Sequence, residues 1–333
     1  MKSPANLALV ALATLLMSAC GVTVDGTTKR NQGDIYIKEG NYNDAEKLFS
    51  EALSLDETRF GRNSPSLIRD LNKLGLIYLK EGRSKEAIAA YERAAKIRQQ
   101  ELKPGLLALS ESLNGLGNAY FSTGNVAAAD DTIRKALGIQ EDNLPVDAPE
   151  IAESQNCLAP ISFKLGDAKQ SEQLYKSSLA IYEQKSMDSA ETANVRSNLA
   201  SLYAAEGKYG EAEPLMKWSL SSQEKIYGGT HPELGLISNN LGELYRLQKK
   251  WPDAEAYLKT ANHIYEQSPS LVNSPLRATV LNNLALTYSA EHKNEQAELC
   301  YKSALKILHD ANADETRSRN IKANYAHLIS NNK

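Results

Sequence analysis

Cysteine is nearly absent from this chain of 333 residues, which carries only Cys20, Cys157 and Cys300. A disulfide framework is therefore not what holds the fold together. Catalytic signatures are missing as well: no Gly-x4-Gly-Lys-Ser/Thr, Gly-x-Ser-x-Gly, His-Glu-x2-His or Cys-x2-Cys occurs. Phosphate-cradling loops, nucleophile elbows and zinc helices lose their usual carriers, and neither enzyme activity nor a cofactor is expected. The five histidines (His231, His263, His292, His309 and His327) are scattered over the later half without a converging ligand set. They read as surface residues and not as a metal site. Basic runs are lacking too. At a formal charge of −3 the chain offers no concentrated positive field to nucleic acid, nor a polybasic patch to a membrane surface.

Long apolar runs are equally scarce, with one exception. Lys2 precedes residues 5–17, which are apolar apart from Asn6 and Thr14, and Met17-Ser18-Ala19-Cys20 closes the segment. A run this short reads as a secretory signal and not as a bilayer span. Its ending resembles the lipobox of bacterial lipoproteins, with Met17 where that family prefers Leu. The resemblance implies a signal peptide over residues 1–19, cleavage before Cys20, and acylation of the Cys20 thiol and new amino group. At about 0.8 kcal/mol per buried methylene, three acyl chains would hold the protein permanently at a membrane. Gly21, and not Asp, follows Cys20. By the same resemblance this implies an outer-membrane lipoprotein facing the periplasm, with residues 20–27 as acylated cysteine and short tether.

What the chain does have is a clock. Gly40, Gly82, Gly124 and Gly166 stand 42 residues apart, Gly207 follows after 41, and Lys249 and His292 keep the register at 42 and 43. A period of this size means one supersecondary unit stacked many times. Within each unit the apolar residues recur at spacings of three and four, as in Leu74, Tyr78, Ala87, Tyr91 and Ala94, or Leu116, Tyr120, Ala129, Ile133 and Ala136. Such spacings predict two helices per unit, with the glycine in a left-handed turn between them. The small residue after each leucine (Gly75, Gly117, Ala200, Gly242, Ala285) lets the second helix approach closely. Pro65, Pro149, Pro232 and Pro275 each fall nine residues before the leucine of their unit, where proline suits the first turn of a helix, and Pro252 opens a second helix in the same way. Pro160 lies inside a first helix, which predicts a local bend or hinge. Cys157 and Cys300 fall three units apart, beyond disulfide reach at on the order of 10 Å per unit, and are expected to be small buried hydrophobes.

At these residues the chain resembles the tetratricopeptide repeat, whose pattern is Leu-Gly-x2-Tyr followed by Ala-x3-Phe. The longer unit looks like the repeats of kinesin light chain. Ser197-Asn198-Leu199-Ala200, the stretch Gly207-Lys208-Tyr209-Gly210-Glu211-Ala212, and the loop Gly229-Thr230-His231-Pro232 carry that likeness. The resemblance implies an all-α, right-handed solenoid over residues 28–331. It would hold about seven helical hairpins and a C-terminal capping helix, for which Asn324, Tyr325 and Ala326 keep the register.

One polar residue recurs with positional meaning. Two residues before the repeat leucine stand Asn72, Asn114, Asn156, Asn239 and Asn282, and Asn198 occupies the next position in its own unit. Asparagine is a mediocre helix former, so local propensity does not explain the repetition. In the resembling family this face lines a concave groove, and its asparagines grip a peptide backbone. The groove set is therefore Asn72, Asn114, Asn118, Asn156, Asn198, Asn239, Asn282 and Arg246. Copying during repeat duplication, or bonding between neighbouring helices, would place asparagine at the same positions. Leu76, Glu243, Leu286, Phe121 and Phe163 vary between units, as specificity positions or drifting surface would. The expected function is that of a membrane-anchored adaptor binding a protein or peptide segment of another envelope protein, in secretion, pilus or cell-wall assembly. The competing expectation is a structural solenoid that self-associates into homo-oligomers.

Overall fold

The computed structural model describes residues 26–101, 105–311 and 315–331; the expected signal segment and nearly all of the tether lie outside them. Fifteen α-helices follow one another among the described residues, and no strand does. The first three hairpins are α1 (Gly26–Lys38) with α2 (Tyr42–Phe60), α3 (Ile68–Glu81) with α4 (Ser84–Gln99), and α5 (Leu106–Ser122) with α6 (Val126–Asn143). The middle two are α7 (Pro149–Lys164) with α8 (Ala168–Lys185) and α9 (Ala190–Ala205) with α10 (Tyr209–Tyr227). The last two are α11 (Pro232–Leu247) with α12 (Trp251–Gln267) and α13 (Pro275–Ala290) with α14 (Asn294–Asp310), before a single α15 (Glu315–Asn331). Odd-numbered helices are the first helix of each repeat and even-numbered ones the second. None is long and apolar enough to cross a membrane.

The hairpins form for the reasons their residues supply. Gly82 ends α3 at φ 78° and Gly124 follows α5 at φ 82°, a left-handed conformation that glycine adopts without Cβ strain. Lys249 and His292 hold the same position at φ 59° and 60° without glycine's freedom. Within a hairpin the small residue does what its position predicts. A Cβ on Gly117 would fall 2.3 Å from the Ile133 side chain, and one on Gly242 2.5 Å from Leu258. Ala87, Ala129, Ala212, Ala254 and Ala297 are wholly buried on the facing helices. Proline stands in the first turn of α7, α11, α12 and α13. The α7 helix continues unbroken through Pro160. At the far end α15 docks: Ile321 and Leu328 are buried, Tyr325 packs on Tyr301, and Asn324 donates to Asn282 at 3.0 Å. Cys157 and Cys300 are free thiols. Burial pushes the Cys157 thiol up to about 12, aided by Glu153 and opposed by a hydrogen bond from Asn118, so it is an inert filler of the core.

After five repeats the superhelix meets itself. The turn after α1 packs on the loop before α11, where a Cβ on Gly40 would fall 2.5 Å from Pro232 and 3.2 Å from the His231 ring. One repeat further on, Gly82 faces Pro275 and Leu276. Lys80 of α3 reaches Glu233 of α11 at 2.5 Å. The apolar cluster containing Tyr42, Phe49, Leu74 and Ile77 is continuous with Leu234, Tyr265 and Leu281 from the other end of the chain. His231, expected at the surface, is only 7% exposed and stacks on Tyr227 with centroids 4.2 Å apart. The physical reason is closure of the superhelical turn, which converts a connecting loop into an interface.

Candidate peptide-binding face

The first helices of successive repeats stand side by side, so one register position becomes a row. The structure divides the expected asparagine set into two kinds. Asn72 and Asn114 are buried between helices. Asn72 accepts from the Ser112 hydroxyl at 2.9 Å, tying α3 to α5. Asn114 donates to Ser154 at 2.7 Å; Ser154 donates to Gln140 at 2.5 Å, and Gln140 to Ser110 at 3.1 Å. That chain of buried polar groups joins α5, α6 and α7, and every member has a partner, as burial demands.

The remaining asparagines are half-buried and form bonds from one first helix to the next. Asn198 donates to Asn156 at 3.0 Å, Asn283 to Asn239 at 3.0 Å, and Asn118 to the Cys157 sulfur at 3.1 Å. A carboxamide has an oxygen and an NH2 group. These bonds engage one end and leave the other without a partner in the chain: the NH2 of Asn156 and Asn239, the oxygen of Asn118 and Asn198. Asn282 engages both ends, accepting from Asn324 and donating weakly to Asn283 at 3.4 Å. Arg246 is held by Glu243 of its own helix through two bonds of 2.7 and 2.6 Å, which neutralise its charge and raise its pKa.

A further set on these helices was not singled out in the sequence, although the period marks it. Glu111 of α5 and Glu153 of α7 stand one repeat apart, are exposed, and share the face with Glu150 and Glu191. Among the described residues no group of three or more His, Cys, Asp or Glu could hold a metal ion.

A row of polar first-helix positions on a helical-hairpin solenoid defines a class, the repeat proteins that present one helix face to partners. The chain belongs to the tetratricopeptide repeat family, whose profile matches residues 25–100, 71–142, 150–225 and 191–267. Over 122 residues it is 26% identical to the Arabidopsis thaliana protein kinesin light chain-related 3, covering 37% of this chain and 19% of that one. It thus spans about a fifth of the length of the curated relative it matches. Among solved structures it is similar to a Rap protein complexed with Competence and Sporulation Factor, with a TM-score of 0.66 at 17% identity, over 89% of this chain and 80% of that one. It is also similar to a tetratricopeptide repeat protein from Parabacteroides merdae, with a TM-score of 0.53 at 17% identity, over 91% and 98% of the two chains. At such identities the likeness concerns the fold.

Proposed function

We propose that this tetratricopeptide protein is a lipid-anchored scaffold. Cys20 would carry the acyl chains at the periplasmic face of a bacterial outer membrane, and the inner wall would capture a segment of another envelope protein. The observation that carries the binding part is the row of half-buried carboxamides at Asn118, Asn156, Asn198 and Asn239, each with one end unbonded. Such groups match the alternating donors and acceptors of a peptide backbone and tolerate many side chains. The helices are already ordered, so capture would cost little conformational entropy on this side, and acylation would confine the search to a surface. The Rap protein, with the same fold, is solved with a bound factor, which lends support by analogy. No covalent step is involved.

The test is crosslinking and capture from intact envelopes, comparing wild type with Asn156→Ala/Asn198→Ala/Asn239→Ala. The expected result is loss of specific partners from a variant that still melts cooperatively, destabilised only by about 1 kcal/mol for each of the two interhelical bonds removed. Capture that does not change removes the carboxamide row as the contact surface. Light scattering that shows concentration-dependent dimers covering this wall would transfer the function to self-association. Labelling with a fatty acid should mark the wild type and spare Cys20→Ala.

A further inference from the structure

One face of α5, α7 and α9 carries four carboxylates that form no ion pair within the chain. Glu150 and Glu191 lie in the first turns of α7 and α9, where the helix dipole explains an acidic residue. Glu111 and Glu153 lie beyond the first turn, out of that dipole's reach. None of the four forms an ion pair or hydrogen bond. Glu153 touches water yet has protein on most sides. Burial raises its pKa above the ordinary carboxylate range, and the neighbouring Glu111, Glu150 and Glu191 raise it further. Lys185 lines a cleft of about 470 Å³ together with Glu150, Glu153 and Glu191, and pairs with none of them.

A second, independent feature points to the same place. The Tyr91 ring enters from α4 and passes between two glycines: a Cβ on Gly75 would fall 2.6 Å from it, and one on Gly115 2.2 Å. The residue is 5% exposed; its hydroxyl reaches solvent in the field of Glu111 and Glu153 and has no hydrogen-bond partner within the chain. A hydroxyl so placed, carried on a buried ring and bonded to nothing within the chain, is open to a ligand.

We propose that this face seats an extended, lysine- or arginine-bearing segment of another protein, its cations at Glu111, Glu153 and Glu191 and one of them meeting the Tyr91 hydroxyl. The assignment rests on the peptide-binding reading above and specifies its ligand. A metal ion does not fit, since the carboxylates are too dispersed for one ion to bridge. The chain's own N-terminal residues 1–25 contain a single base, Lys2, and a second copy brings a net charge of −3. Neighbouring first helices lie about 10 Å apart. A segment in the polyproline II conformation advances about 3.1 Å per residue and turns once every three, so a base at every third position would meet one carboxylate per repeat.

The experiment titrates the full chain with two fluorescent peptides of equal composition. One is Lys-Ser-Ser-Lys-Ser-Ser-Lys, and the other has its three lysines in one block. The spaced peptide should bind tighter, and Glu111→Gln/Glu153→Gln should weaken it about tenfold, the equivalent of losing two modest charge pairs. A control pair on the opposite face, Glu141→Gln/Asp142→Asn, should leave binding unchanged. The glutamine variants keep side-chain volume and remove like-charge repulsion, so they should melt at or above the wild-type temperature. Equal affinity for the two peptides, or equal sensitivity to both variant pairs, overturns the proposal in favour of diffuse attraction. Displacement of the peptide by stoichiometric calcium overturns it in favour of an ion site. Envelope partners that depend on the asparagine row but not on Glu111 and Glu153 overturn only the cationic assignment, leaving the scaffold intact.

Discussion

Gly40 and Gly124 occupy equivalent turns, at φ 72° and 82°, and nothing in the sequence distinguishes them. Their surroundings do. A Cβ on Gly124 would meet nothing within 4 Å, whereas one on Gly40 would fall 2.5 Å from Pro232. Alanine at either position should cost roughly 1–2 kcal/mol for the left-handed backbone. Gly40→Ala should cost more, because the added methyl group also pushes the first repeat away from α11. Thermal melts of the two variants, with small-angle scattering to follow the overall dimension, would check this. A larger radius is expected for Gly40→Ala alone. The need for a left-handed turn is legible in the 42-residue period, since it is a local steric property. The neighbour 192 residues further along is not, because no pattern of spacing encodes which loop a turn will meet.

Between helices, the recurrent asparagine was visible in the sequence but its partners were not. Asn114 uses its carboxamide on Ser154, which also contacts Gln140, and all three are buried. Removing the shared hydroxyl should leave two buried groups short of a partner. Ser154→Ala is therefore expected to destabilise by about 2 kcal/mol, measured by urea unfolding. It should do so without changing the partners captured from envelopes, since none of the three faces outward. At this scale all six tie helices together, Asn72 and Asn114 wholly buried, and Asn118, Asn156, Asn198 and Asn239 half-buried with one end of the carboxamide unbonded.

For the whole molecule the contact closing the superhelical turn is the feature with thermodynamic consequences. Burial lowers the His231 pKa and Lys80 lowers it further, against the opposing Glu233 charge and the Lys38 carbonyl. Glu233 is also lowered on balance: burial raises its pKa, and the charge and hydrogen bond of Lys80 more than reverse the effect. A group whose folded pKa lies below its unfolded value stabilises the fold at pH above the unfolded value, and that contribution is lost as pH falls. For His231 the loss should begin below about pH 6.5, and for Glu233 below about pH 4.3. The melting temperature should therefore decline in two stages on acidification, with an increase in radius as the first repeats part from α11. His231→Gln should remove the upper stage and leave the lower one. A single decline unchanged in the variant would show that this histidine does not control closure.

From the sequence alone came the repeat, its two helices, its turn, its capping end and the positions that form rows along one face. All of these follow from contacts within a repeat or with the next one, and such contacts recur with the period. Only the tertiary structure decided that the coil meets itself after five repeats. It likewise decided that a loop histidine is buried there, that the recurrent asparagines join helices to one another, and that unpaired carboxylates gather on one face of α5, α7 and α9. Those outcomes depend on the small rotation added at each repeat, and the sum of many small angles is a property of the assembled chain that no single repeat displays.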